Sequence, residues 1–152
     1  MTTTAPAPTG VAVGIDPRGP QLTAAITAVV LVAVLLLPSP WAGVLAGIQA
    51  LLFAVGAARG VQHTPHAWLF RTFVRPRLSP PGELEDPAPP RFAQTVGLAF
   101  TLVALLGFAT GATLLGQVAI GLALVAALLN AVFGLCLGCE LYLLIKRSTT
   151  AH

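Results

Sequence analysis

The sequence predicts an all-α polytopic membrane protein: an antiparallel bundle of four transmembrane helices, with a short interfacial amphipathic helix in the central loop. Three observations carry that prediction. The 152-residue chain is 56% hydrophobic and only 9% charged, whereas about a quarter of the residues of a soluble domain carry charge. Two stretches, 21–58 and 92–139, hold no charged residue, and each is long enough for two spans of roughly 20 residues. All eight Lys and Arg fall outside the turns that divide those stretches.

The elements follow in order. Residues 1–14, rich in Thr, Ala, Pro and Gly and without charge, read as a disordered tail lacking the basic region of a signal peptide. A single transmembrane domain is expected over 15–147. Its first two spans, at about 21–37 and 41–58, are divided by Pro38-Ser39-Pro40, where proline ends one helix and starts the next at no hydrogen-bond cost. Residues 66–75 set Trp68, Leu69, Phe73 and Val74 against Arg71 and Arg75, the pattern of an amphipathic helix in the headgroup layer. The proline-rich stretch 78–90, with Glu83, Glu85 and Asp86, predicts a solvated loop. The third and fourth helices are expected at about 91–110 and 117–145, with 148–152 as a tail.

Orientation follows from charge. With four spans, the segments before the first helix, between the second and third, and after the fourth share one side, and Lys and Arg occur only there. The positive-inside rule places both termini and the central loop in the cytoplasm, with the protein in the inner (plasma) membrane. The formal charge of +3 is explained by this topology, so nucleic acid is excluded as a partner and the bilayer is the expected one.

The candidate chemistry lies in the last helix. Cys136 and Cys139, the only two cysteines, form C-x-x-C and are followed by Glu140, a carboxylate that is costly in hydrocarbon and so a candidate site residue. A redox dithiol, half of a metal site and plain packing are all open readings of the pair. On a continuous helix all three side chains project from one side. Counted back from Lys146 at ~1.5 Å per residue, the cysteines lie roughly 10 and 15 Å inside the cytoplasmic boundary. Gln49, Gln94 and Gly97 reach similar depths, so with Gly134 and Gly138 they are candidates to line a small polar pocket. Interhelical hydrogen bonding is the plainer reading of each glutamine.

A thiol near a helix carboxyl end, in low dielectric and beside an acid, is a poor thiolate. A break at Gly134 or Gly138 reverses that by supplying free backbone N–H groups. In the reducing cytoplasm a dithiol at rest is expected. His63 and His66 with the two cysteines have zinc-ligand types, but Pro65 and the difference in depth count against it, so neither metal nor cofactor is expected. The G-x-x-x-G pairs Gly43/Gly47, Gly107/Gly111 and Gly134/Gly138 are read as packing, with homo-oligomerisation an open use.

The order of these features resembles a bacterial integral-membrane family, the domain-of-unknown-function family 4395, over about 15–146. The residues that carry it are Asp16-Pro17-Arg18-Gly19-Pro20, then Pro65, Arg71 and Arg75-Pro76. Arg91-Phe92-Ala93-Gln94 with Gly97, Asn130, and the ending Phe133-Gly134-Leu135-Cys136-Leu137-Gly138-Cys139-Glu140-Leu141-Tyr142 complete it. The resemblance implies company with thioredoxin-like and rhodanese-type sulfurtransferase proteins.

The expected function is therefore a thiol-redox or sulfur-relay component working with such a cytoplasmic partner. In that reading Cys139 is the partner-facing thiol, Cys136 the resolving one and Glu140 a proton acceptor. A channel or carrier for a sulfur-containing solute, lined by Gln49, Gln94 and the cysteines, is a second reading. A non-catalytic scaffold docking through Trp68, Arg71 and Arg75 is a third.

Overall fold

A computed structural model describes residues 14–151; apart from Gly14, the expected amino-terminal tail lies outside them. The described chain is helical, with α1 at Arg18–Leu36, α2 at Ser39–Arg59, a short α3 at Pro65–Leu69, α4 at Ala88–Thr110, α5 at Thr113–Phe133 and α6 at Leu137–Thr150. Four of these, α1, α2, α4 and α5, are long and apolar enough to cross a membrane.

Proline and short polar side chains set the helix starts. Asp16 accepts the Arg18 backbone N–H at 3.0 Å and its Nε at 2.9 Å, so α1 begins three residues before the apolar run. Pro40 lies in the first turn of α2, and Pro89 and Pro90 in that of α4, where a missing N–H costs nothing. The amphipathic segment expected at 66–75 is not one uniform helix. Thr64 caps α3 by accepting the Ala67 N–H at 3.2 Å, a π-helical turn follows at Phe70–Val74, and a 3₁₀ turn at Arg75–Arg77 ends the segment. Pro76 cannot donate into an α-helical ladder, which is why the pattern changes there. Phe70 is buried and sits on Gly19 of α1, while Trp68 and Phe73 stay exposed with ring centroids 5.9 Å apart.

The helix expected over 117–145 is two helices. Gly134 takes φ +67, a left-handed conformation that closes a helix and favours glycine. Its N–H returns to the Asn130 carbonyl at 3.0 Å, so α5 stops at Phe133 and α6 starts afresh at Leu137. The turn expected at 111–117 is also tighter, only Gly111-Ala112. The expected tail at 148–152 is helical as far as Thr150.

The four long helices form a ring in the order α1, α2, α4, α5, each antiparallel to its neighbours. The principal packings are α2 on α4, α1 on α5 and α4 on α5, with α1 against α2 a weaker one. At the turn end, a core of Leu31, Val34, Ala42, Ala46, Ala104, Ala119, Ile120 and Ala123 fills the interior; alanine there lets backbones approach, the usual device where lipid supplies no hydrophobic drive. Gly107 meets Gly116 so closely that a Cβ at Gly107 would lie 2.7 Å from the Gly116 nitrogen. Gly43 and Gly47 instead face open space, so this G-x-x-x-G pair is not packing within the chain. Arg91 spans α4 and α2, its Nε and Nη2 donating to the carbonyls of Ala57 at 2.7 Å and Ala58 at 2.9 Å. Large apolar side chains such as Val29, Leu51, Leu106 and Val132 are exposed around the bundle, as lipid contact requires.

Candidate functional site

The site is built by the interruption at Gly134. Leu135 and Cys136 leave the helical path, and Cys136, with φ −85 and ψ 98, becomes the amino-terminal cap of α6. The Cys139 N–H donates to Cys136 Sγ at 3.3 Å. The two cysteines are joined as a disulfide with Cα atoms 5.2 Å apart, inside the usual range for such a bond.

Three expectations are corrected here, for a pair that this structure places within disulfide geometry. It stands at a helix amino terminus, not a carboxyl end, because the glycine break starts a new helix three residues later; free N–H groups and the helix dipole there favour negative charge. The depth counted along one continuous helix also fails. α6 turns back onto the first turns of α4, with Gly138 against Ala93 and the rings of Phe92 and Tyr142 5.8 Å apart. Because Cys136 precedes α6, it does not share a helix face with Glu140. Glu140 lies in the first turn of α6 and is exposed.

Beneath the disulfide, in the half of the bundle towards the charged end, lies a cavity of about 350 Å³. α1 lines it with Thr23 and Thr27, α2 with Phe53, α4 with Gln94, Gly97 and Phe100, and α5 with Ala123, Ala126 and Asn130; Cys136, Gly138 and Leu141 close it. Among the residues expected to share a pocket, Gln94, Gly97, Gly138 and Cys136 are brought together. Gln49 is not among its walls: it is buried at 1% exposure in α2, its Oε1 without a partner among the described residues. Gly134 meets only the end of the Gln21 side chain, 4.0 Å from where a Cβ would be. Cys139 and Glu140 do not line the cavity. Sequence reasoning missed Asn130, Phe53, Phe100 and the two threonines as walls. A lone amide in an apolar span was the available signal for Asn130, whereas the phenylalanines carry none that separates them from core.

The charged end holds a second cavity, of about 260 Å³, bounded by Asp16, Gln62, Phe70, Arg71, Arg75 and Leu84. The Arg18 guanidinium pairs with Asp16 at 2.8 Å and donates to the Ser79 carbonyl at 2.9 Å. That side-chain hydrogen bond holds the Asp16 carboxyl below its ordinary range, against the opposing effect of burial. Ile15 and Glu85 exchange backbone hydrogen bonds at 2.9 Å each, fastening the loop before α4 to the start of the domain. Arg71 donates to the Gln62 carbonyl at 2.8 Å and remains exposed, as do Arg75 and Trp68. Burial pushes the His66 imidazole below its usual value, and His63 Nδ1 lies 2.8 Å from the Arg59 carbonyl. Among the described residues no three His, Cys, Asp or Glu side chains gather as metal ligands.

Comparison with known proteins adds one finding. The model of a family described as a domain of unknown function, DUF4395, matches residues 15–147. No curated protein and no solved structure matches the chain.

Proposed function

Because the chain belongs to the domain-of-unknown-function family 4395, whose description assigns no reaction, we propose its function from the geometry at Cys136: a membrane-held thiol-redox or sulfur-relay component. The observation that supports this is a bonded C-x-x-C pair whose first sulfur caps a helix. A partner's thiolate attacks Cys136 Sγ, the S–S bond to Cys139 breaks and Cys139 leaves as a thiolate; the partner's second thiol then displaces Cys136, whose capping position favours the leaving thiolate. The partner is left as a disulfide and the pair reduced, and Cys139 resolves the same mixed disulfide in the reverse direction. Cys136 is thus the exchanging sulfur and Cys139 the resolving one, the reverse of the order drawn from depth alone. The exposed Glu140 is a proton acceptor for the resolving thiol.

A thioredoxin-like or rhodanese-type protein fits the partner role, on the cytoplasmic side if positive charge sets the orientation, with Trp68, Arg71 and Arg75 as a docking surface at the same end of the bundle. A solute carrier is supported less well. The tight Gly107/Gly116 contact and the buried layer around Leu31 and Ile120 fill the far half of the bundle among the described residues. The test is trapping. The Cys139→Ser protein should accumulate a mixed disulfide with a cytoplasmic protein through Cys136, and the Cys136→Ser protein should not. Absence of any thiol-sensitive adduct in both variants would remove the relay reading.

A further inference from the structure

We propose that the cavity beneath the disulfide receives the ring of a lipid-borne quinone, which takes two electrons from the reduced Cys136/Cys139 pair. This rests on the redox reading above and names the oxidant that returns the pair to the disulfide.

The cavity has the right character for a neutral, planar, lipid-soluble ring. Its volume of about 350 Å³ falls in the range of small-ligand sites. No charged side chain among the described residues lines it, so a sulfur oxyanion has no counter-charge there, and burying such an ion unpaired is prohibitive. Phe53 and Phe100 offer ring faces for offset or edge packing. Asn130 and Gln94 are the amide residues on its walls, beside Thr23 and Thr27, and amide N–H groups are the donors that carbonyl oxygens need. An acyl chain fits the apolar walls but makes no use of those amides.

Access is from the bilayer. Leu122 and Val125 line the cavity and are each 54% exposed on the outside of the bundle. Leu137 and Leu141 of α6 do the same at its upper rim. The occupant's tail can therefore remain in lipid while its ring sits inside. Cys136 is itself part of the wall, so the sulfur and the ring share one water-poor space.

The chemistry balances without a further reactant. Both S–H bonds of the dithiol break and the S–S bond forms; the two electrons and two protons released convert the quinone to its quinol.

The test uses the full chain in lipid nanodiscs, reduced, freed of reductant and held without oxygen, with menadione as the probe. One quinol should appear for each pair of thiols lost, at a rate that saturates with menadione. Asn130→Leu should raise the half-saturating concentration about tenfold while leaving the maximal rate near its original value, as expected for one lost hydrogen bond. If that variant does not fold, Gln94→Leu takes its place. Leu106→Ala, on the lipid face at the other end of the bundle, should change nothing. A rate that rises linearly and matches that of a simple dithiol in the same discs would overturn the proposal, as would unchanged half-saturation in the amide variants. Mixed-disulfide trapping that succeeds while quinol formation fails overturns the quinone alone; failure of both removes the relay reading as well.

Discussion

Gly138 of α6 lies directly on Ala93 of α4: a Cβ at Gly138 would be 2.6 Å from the Ala93 Cβ and 2.7 Å from its Cα. The two helices meet backbone to side chain with no room for a methyl group, and this contact seats the helix that carries the disulfide. Gly138→Ala should therefore unseat α6 at a cost of about 1–3 kcal/mol, the usual range for overpacking. Limited proteolysis between residues 134 and 150 should accelerate, and the disulfide should reduce faster. Gly43→Ala, at a position with open space around it, should leave both rates unchanged.

Gly134 is held at φ +67, where a side chain costs about 1–2 kcal/mol. Gly134→Ala should lower the midpoint of thermal unfolding accordingly, and Gly134→Asn should lower it less, since asparagine tolerates this conformation better. The more telling readout is the thiolate fraction of the reduced protein, followed by ultraviolet absorbance against pH. A substitution that lets α5 run on past residue 134 removes the new helix start, and the thiolate fraction at Cys136 should fall.

The four spans were legible because charge is absent from two long stretches and present between them, a signal that depends only on solvent. The proline turn at Pro38-Ser39-Pro40 was legible for the same local reason. A break at Gly134 is an open alternative in the sequence, yet the uncharged apolar run alone carries the last helix from 117 to 145. A glycine inside an apolar run is compatible with either a continuous helix or a left-handed stop, and only packing of the following segment on Ala93 selects between them. The site inherited that ambiguity. Cys136 and Glu140 share a face on one backbone path and not on the other, and Gln49 and Gln94 have similar depth but different surroundings.

Arg91 ties two spans through the backbone of α2. Its guanidinium donates to the Ala57 and Ala58 carbonyls, in the last turn of a helix whose end attracts positive charge. Arg91→Ala should cost about 1–3 kcal/mol, as for hydrogen bonds from a charged group. Arg91→Lys should recover only part of it, because an ammonium lacks the two-pronged geometry. Thermal unfolding in a mild detergent measures both.

His66 supplies a pH dependence. Burial pushes its pKa below the ordinary value of 6.5, so the folded protein binds fewer protons at this site than the unfolded chain as pH falls below about 6.5. Stability from this group is full above that pH and is lost as pH falls through the lower folded-state value. Unfolding midpoints measured between pH 7.5 and 5 should decline, and His66→Gln should flatten the decline.

The ring order of the helices also bears on assembly in time. α1 packs more extensively on α5 than on α2, the helix that follows it, so the first two spans leave the ribosome with their principal partners not yet made. The opening hairpin must wait in the bilayer, its inner faces against lipid, until the closing hairpin arrives and takes their place. Only then does a wall exist for α6 to lean on, which makes the disulfide-bearing turn the last part of the molecule to find its position.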